Sequence, residues 1–408
     1  MGRATAGRPE PSVEAKTPSW RSEMAAYDVA IIGAGVHGAS AALHLAERGA
    51  EVAVLERGGP ASGPTGQSSA VVRGYYVNEF LAGLTRESAG LFRGFADWTH
   101  GGDAGFVTTG ALFLHAPGDG ERMRATVKRL NALGTRTELL AADQIAADFP
   151  AFDLTGVGWA AWEPGAGYAD PVGTTVGMLA RAQALGARLL QDTRVTGIEP
   201  LAGSVRLRTA SGEEVTAGRV HLAAGPWTPV LLRMLGVTLP LRAERHIIAT
   251  YGWGEAEPVP YVWASMPDGV YVKPELSGQF LVGTLWEEPE ADPDDYSGEL
   301  WPDEHLRIAD ALVQRMPGLA GAAAFSGYAA LYDVAPDWQP VIGAVADRVT
   351  MVAGTAGHGF KWAPALGARI ADLLTGGPAD PGLAQFRPGR FGEGALLTGG
   401  YGDAKIMG

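Results

Sequence analysis

The sequence contains no cysteine. Disulfides, thiolate catalysis, cysteine-ligated zinc and a thioether-linked cofactor are thereby excluded, and the absence fits a cytoplasmic protein. Metal-ligand spacing is also missing. The eight histidines form no His-Glu-x-x-His and no carboxylate–histidine cluster, so no metal is expected. Positive charge is scarce. Lys and Arg number 32 against 45 Asp and Glu, a formal net charge of −13, and no basic stripe with interleaved aromatics appears, which argues against nucleic acid. The longest apolar stretch, 220–241, is broken by Pro226, Pro229 and Arg233, so no membrane span is expected. There is no nucleophile elbow, no Ser-His-Asp order and no internal repeat. The first 24 residues, rich in Arg, Pro, Ser and Glu, lack the apolar run of a secretory signal. They read as a disordered leader, with Met24 as an alternative start.

What remains is 408 residues with 46% hydrophobic content, enough for two cores or for one large domain interrupted by another. Tyr27-Asp28-Val29-Ala30-Ile31-Ile32 is a nearly continuous apolar run, the pattern of a buried parallel strand. Gly33 to Gly38 makes a turn, and Ala39 to Arg48 reads as a helix stopped by Gly49. Val52 to Leu55 is the next strand. A helix is predicted over 79–98, where Phe80, Leu84, Leu91, Phe95 and Trp98 give a core-facing stripe. Strands are expected at 106–115, 157–163, 187–190, 205–209 and 219–224, with a helix at 171–185. Further strands fall at 245–251, 269–273 and 280–284, then a helix at 303–315. The described pattern ends in a strand at 349–353, a glycine turn at 354–359 and a helix at 362–374.

Three motifs carry chemistry. Gly33-Ala34-Gly35-Val36-His37-Gly38 follows a strand and opens a helix, and the acidic Glu56 closes the next strand, the context that makes G-x-G-x-x-G meaningful. Gly33 allows the tight turn, Gly35 a close approach to a pyrophosphate, and Gly38 close packing of helix on strand. Glu56 would accept ribose hydroxyls and repel a 2′-phosphate. The second motif, Val220-His221-Leu222-Ala223-Ala224-Gly225-Pro226-Trp227, ends an apolar strand in small residues and favours FAD over NAD. The third is Gly354-Thr355-Ala356-Gly357-His358-Gly359-Phe360-Lys361. It starts a helix, so its backbone N–H groups suit the negative charge of a reduced flavin. Lys361 either adds a full charge there or clamps a substrate carboxylate.

Together with Pro336-Asp337-Trp338-Gln339-Pro340-Val341-Ile342-Gly343, the third motif resembles the C-terminal flavin motif of the D-amino-acid oxidase superfamily, above all its sarcosine oxidase beta-subunit and glycine oxidase branches. The resemblance spans about Tyr27 to Phe391. It implies FAD, an amine substrate bearing a carboxylate, and hydride transfer to flavin N5. It sets Arg73, in Ser69-Ala70-Val71-Val72-Arg73, and Lys361 beside the substrate carboxylate, with Tyr271 as an active-site tyrosine on a strand whose Val270 and Val272 face the other way. The cofactor set it implies is Gly33, Gly35, Val36, His37, Gly38, Glu56, Arg57, Ser68, Ser69, Val195, Ala224, Gly225, Trp227, Gly357, His358, Gly359, Phe360 and Lys361. Two departures follow. Ala330 stands where monomeric sarcosine oxidases attach FAD to a cysteine, so FAD is expected to be non-covalent. Leu281 stands where they keep an oxygen-activating lysine, which makes a dehydrogenase credible beside an oxidase.

The expected fold is α/β of the α+β two-domain kind. A Rossmann-like FAD-binding domain is assembled from 25–100, 165–230 and 325–391. A mixed β-sheet substrate domain comprises 101–164 and 231–324, between the leader 1–24 and a tail, 392–408. The expected function is FAD-dependent oxidation of the C–N bond of an amino acid or N-alkyl amine to an imine that hydrolyses. Its partners are the small amine, O2 or an electron-acceptor protein, and a partner subunit. Two alternatives stand beside it. One is a tailoring oxidase of a larger biosynthetic amine, with Tyr75, Tyr76, Trp263 and Trp286 lining a roomier pocket. The other is a non-catalytic FAD-binding subunit of a multi-chain dehydrogenase.

Overall fold

The computed structural model of the protein describes residues 26–398; the leader 1–24 and the end of the tail, 399–408, lie outside that range. The apolar run Tyr27–Ile32 forms the strand its sequence predicts and is buried from Asp28 onward. It pairs in parallel with Val52–Leu55 on one side and Glu214–Leu222 on the other, so that Ile31 lies between Val54 and His221. Arg188–Leu190 extends this sheet at one edge, and the hairpin of Val195–Leu201 and Ser204–Thr209 at the other. The far end of Glu214–Leu222 also pairs in parallel with Val349–Ala353, which carries Val341–Ala346 as an antiparallel neighbour. Parallel strands buried on both faces need cover on each: Val36–Glu47 and Gly359–Thr375, packed on one another, cover the face of Val29, Ile31, Val52 and Val54, and Val195, Ile198, Leu231 and Leu232 pack on the face of Ala30, Ile32, Ala53 and Leu55. Ser40 Oγ donates to the Pro364 carbonyl at 3.1 Å across that contact. The strand, glycine turn and helix at the sheet's centre are those of a dinucleotide fold.

A second eight-stranded sheet runs in the order Ala323–Val334, Arg242–Gly252, Gln279–Thr284, Val270–Pro274, Val262–Ser265, Ala111–His115, Trp159–Glu163 and Glu138–Ala141. It is antiparallel except where Val262–Ser265 lies parallel to Ala111–His115. The helix Pro302–Arg315 packs on it, with Ile308 and Leu312 buried. The first strand, Ala323–Val334, falls in a segment assigned above to nucleotide binding. It is hydrogen-bonded into this second sheet along the whole of Arg242–Gly252, yet its end reaches the nucleotide side. A small third sheet joins Val71–Val72, Gly167–Tyr168 and Val107–Thr108.

Two predicted elements are divided. The helix over 79–98 becomes Glu79–Arg93 and Phe95–Thr99, interrupted at Gly94. The strand over 106–115 becomes Val107–Thr108 and Ala111–His115, because the chain passes from the small sheet to the large one between them. Among the described residues no helix is long and apolar enough to cross a membrane, and no group of side chains could hold a metal ion.

Candidate active site

The glycine turn after the first strand is dictated by space. Gly33 adopts φ +109°, and a Cβ there would lie 2.4 Å from the Ala223 carbonyl oxygen. At Gly38 a Cβ would lie 1.9 Å from the Gly33 oxygen, so the helix can sit on the strand only without a side chain. The turn opens into a cleft that runs on to the second glycine loop, so that Gly33, Gly35, Gly357 and Gly359 share one lining. Glu56 forms its wall from the end of the second strand. One carboxylate oxygen accepts from Ala34 N at 2.8 Å and the other from Gly58 N at 2.9 Å, leaving lone pairs on both for further donors. Beside it, the Arg57 guanidinium lies 3.8 Å over the Trp227 ring and pairs with Asp294 at 2.8 Å. Trp227 Nε1 donates to the same Asp294 oxygen at 2.8 Å.

The other end of the cleft is made by the second glycine loop. The helix Gly359–Thr375 begins there, as Val36–Glu47 begins at the first loop, so two helix N-termini meet the same space. Each carries a partial positive charge suited to an anionic ligand. Gly359 admits no side chain, since a Cβ would come 2.5 Å from His37 Nε2. Burial first, and then His221, push His37 down to about 3, so the ring is neutral. It packs 4.9 Å from Trp362, and its buried Nε2 has no hydrogen-bond partner among the described residues. Tyr332 lies under the loop, where a Cβ on Gly357 would strike its ring. It stacks on His246 at 3.9 Å and lies close to Tyr271, which is near Ser69. Burial raises both phenols, so both are neutral donors.

Of the predicted cofactor residues, Gly33, Gly35, Val36, His37, Glu56, Arg57, Ser68, Ser69, Val195, Ala224, Gly225, Trp227, Gly357, Gly359 and Phe360 all line this cleft. Gly38, His358 and Lys361 do not; each adjoins in the chain a residue that does. Ala330 is on the wall. Leu281 is buried on a neighbouring strand opposite Lys273, whose ammonium pairs with Glu275 at 2.8 Å.

Arg73 and Lys361, both buried, lie within electrostatic reach of each other, and neither lines the cleft. Burial first, and then the Arg73 charge, hold the Lys361 ammonium well below the usual lysine range. The Arg73 guanidinium lies 4.5 Å over the Tyr76 ring and donates to the Tyr75 carbonyl, and the Tyr76 hydroxyl bonds His358 Nδ1 at 2.8 Å. The four aromatics of a roomier pocket are not gathered. Tyr75 and Tyr76 belong to the core of the first sheet, whereas Trp263 and Trp286 belong to that of the second. Sequence reasoning missed Glu163, Tyr332 and Asp294. For Glu163 a signal existed: a carboxylate closes an apolar strand immediately before Pro164.

A parallel sheet whose first glycine turn and a second glycine loop line one cleft, each at a helix N-terminus, has the arrangement of a dinucleotide-dependent oxidoreductase. The chain belongs to the FAD dependent oxidoreductase family (DAO), whose model matches residues 28–373. It is similar to a monomeric sarcosine oxidase of Streptomyces avermitilis, with 30% identity over 90% of this chain and 98% of the relative. It is also similar to a sarcosine oxidase subunit beta of Arthrobacter, 28% identical over 91% and 92%. Among solved structures, an L-proline dehydrogenase from P. horikoshii superposes with a TM-score of 0.82 at 25% identity, over 93% of this chain and all of that one. The protein is an FAD-dependent oxidoreductase with the fold of that family. The residues present fit FAD. The glycines leave room for close backbone approach, Glu56 keeps acceptor capacity, and His37 offers an unpartnered polar atom at the wall.

Proposed function

We propose that the protein oxidises the C–N bond of a small carboxylate-bearing amine, an amino acid or its N-alkyl derivative, to an imine that water hydrolyses. One observation carries the reading: Arg73 and Lys361 are buried within electrostatic reach of each other. Two buried cations repel, and an anion between them relieves the repulsion and the loss of solvation together. A substrate carboxylate meets that need, with Arg73 as the planar fork and Lys361 as the point charge. Held so, the substrate presents its C–H bond in one orientation, worth several kcal/mol of barrier. The same cations disfavour a protonated amine, which leaves the nitrogen lone pair free to assist as hydride departs. Tyr271, whose phenol burial keeps neutral, serves as a wall of the site and not as a base.

FAD, when bound, supplies the two-electron acceptor. The cleft-lining residues named above, with Gly38, His358 and Lys361 beside them in the chain, hold it without a covalent bond, since alanine occupies position 330. We assign cofactor binding to 25–100, 165–230 and 325–391 and the substrate side to 101–164 and 231–324, with the strand Ala323–Val334 serving both. Likeness to a monomeric sarcosine oxidase and to an L-proline dehydrogenase supports a secondary amino acid as substrate. Likeness to a subunit beta supports a search for a partner chain. The test is anaerobic bleaching of the holoenzyme's visible flavin absorption by sarcosine, glycine, proline and D-amino acids. At least one is expected to bleach it, and readmitted air then separates an oxidase from a dehydrogenase. Yellow protein that none of them bleaches, with or without a partner, refutes the proposal.

A further inference from the structure

The segment that carries Arg73 and Tyr76 has no ladder of its own. The strand Val71–Val72 ends before it, and the next helix begins only at Glu79. Buried backbone N–H groups in such a stretch need partners from elsewhere. One side chain provides them. Glu163, the last residue of its strand and itself buried, accepts from Gly74 N through both oxygens, at 2.8 and 2.9 Å, and from Tyr75 N at 3.0 Å. The fit leaves no slack: a Cβ at Gly74 would stand 2.8 Å from Thr135 Cγ2 and 3.3 Å from Glu163 Oε1. On one side of this pinned turn the Arg73 guanidinium is folded over Tyr76 and the Tyr75 carbonyl. On the other, the Tyr75 ring stacks on Phe113 at 5.0 Å.

We propose that Glu163 is the positioning residue of the carboxylate site: by gripping the backbone of Gly74 and Tyr75, it fixes the direction in which Arg73 faces the substrate. The inference rests on the reading of Arg73 and Lys361 as the carboxylate receptor. Glu163 touches no substrate in this scheme and acts only through the turn. Its charge matters as well as its shape. A carboxylate is acceptor-only and can take all three contacts, whereas the amide of glutamine would set an N–H donor against a backbone N–H donor. The buried carboxylate also lies within the fields of Arg73 and Arg93, so it offsets the charge of the first of the two substrate-facing cations. Burial pushes Glu163 up to about 7 against the pull of these neighbours, so the ionised, acceptor-only form that makes all three contacts is fully present above that pH.

The test uses holoenzyme and two probes, acetate and its neutral isostere acetamide, titrated against the flavin absorption. Glu163→Gln is expected to weaken acetate about ten- to hundredfold, as loss of hydrogen bonds to a charged group does. Acetamide binding and FAD content should stay near wild type, and Glu163→Asp, which keeps the charge, should recover part of the loss. Equal weakening of acetate and acetamide would mean a merely structural role and overturn the inference. Arg73→Met and Lys361→Met separate the two levels. If both lose acetate selectively and Glu163→Gln does not, the positioning role falls and the carboxylate receptor stands. If neither loses it, the receptor reading falls first. Should Glu163→Gln fail to retain FAD, Glu163→Asp decides: selective acetate loss supports the role and unchanged acetate affinity overturns it.

Discussion

Replacing Lys361 by methionine should move stability and substrate binding in opposite directions. Methionine is close to lysine in length and lacks only the ammonium, so the site keeps its packing. In the folded protein that ammonium is held well below the usual lysine range, first by burial and then by Arg73. Unfolded, it titrates near its ordinary value of about 10.4. Between the two values the unfolded chain binds more protons, so stability rises with pH across that window, and below the folded value the full penalty is present. Each unit of depression amounts to about 1.4 kcal/mol. Lys361→Met removes the penalty. The ligand-free holoenzyme should therefore melt higher near neutral pH, by roughly 1 °C for each kcal/mol regained in a chain of this length, and should lose the upward slope with pH. Binding moves the other way. Truncating one partner of a buried charge pair costs about 2–5 kcal/mol, so KM for an acidic amine should rise by about 30-fold to several thousandfold, with kcat falling much less. Melting curves at several pH values and steady-state kinetics with whichever amine bleaches the flavin measure both. A lower Tm with an unchanged KM would refute the reasoning on both counts.

Three further outcomes are expected. Gly33→Ala forces a Cβ to 2.4 Å from the Ala223 carbonyl at φ +109°; backbone strain of about 1–3 kcal/mol and overpacking of about 1–3 kcal/mol should displace the first loop. The purified variant should be largely colourless, and a flavin-to-protein absorbance ratio equal to wild type would contradict this. Asp294→Ala removes the residue that pairs with both Arg57 and Trp227 on the cleft wall. FAD release on dilution, followed by flavin fluorescence, should quicken a few-fold at low salt and less at high salt, because the pair is exposed and screened; an unchanged rate would deny Asp294 a part in retention. Acid precipitation should leave all of the flavin in the supernatant, since the cleft wall at position 330 is alanine; a yellow pellet would disprove non-covalent binding.

Both glycine loops were legible because their function resides in the backbone of consecutive residues. A strand, a turn that tolerates no Cβ and a helix N-terminus are written in order along the chain, and both loops occupy the cleft as expected. The elements that did not emerge are those whose stability comes from pairing. Val195–Leu201 contains Gly197, Glu199 and Pro200 and is a strand only because Ser204–Thr209 and its neighbours accept it. Gly120–Ala132 is mostly polar, and only Met123, Val127 and Leu130, at helical spacing, reveal its buried face.

The charged site lies further from what spacing can express. Arg73, Glu163 and Lys361 come from three separated parts of the chain, and nothing in the interval of 89 residues between Gly74 and Glu163 encodes their contact. Residue type gave Arg73 and Lys361 through resemblance, yet type alone left Glu163 as an ordinary strand-ending acid. What identifies it is a deficit seen only in three dimensions: a buried, ladder-free turn whose N–H groups must be answered. The same deficit explains why the partner is a carboxylate and not a hydroxyl. Three donor contacts converge on one side chain, and an acidic group is the one that accepts them all while offsetting the arginine beside it.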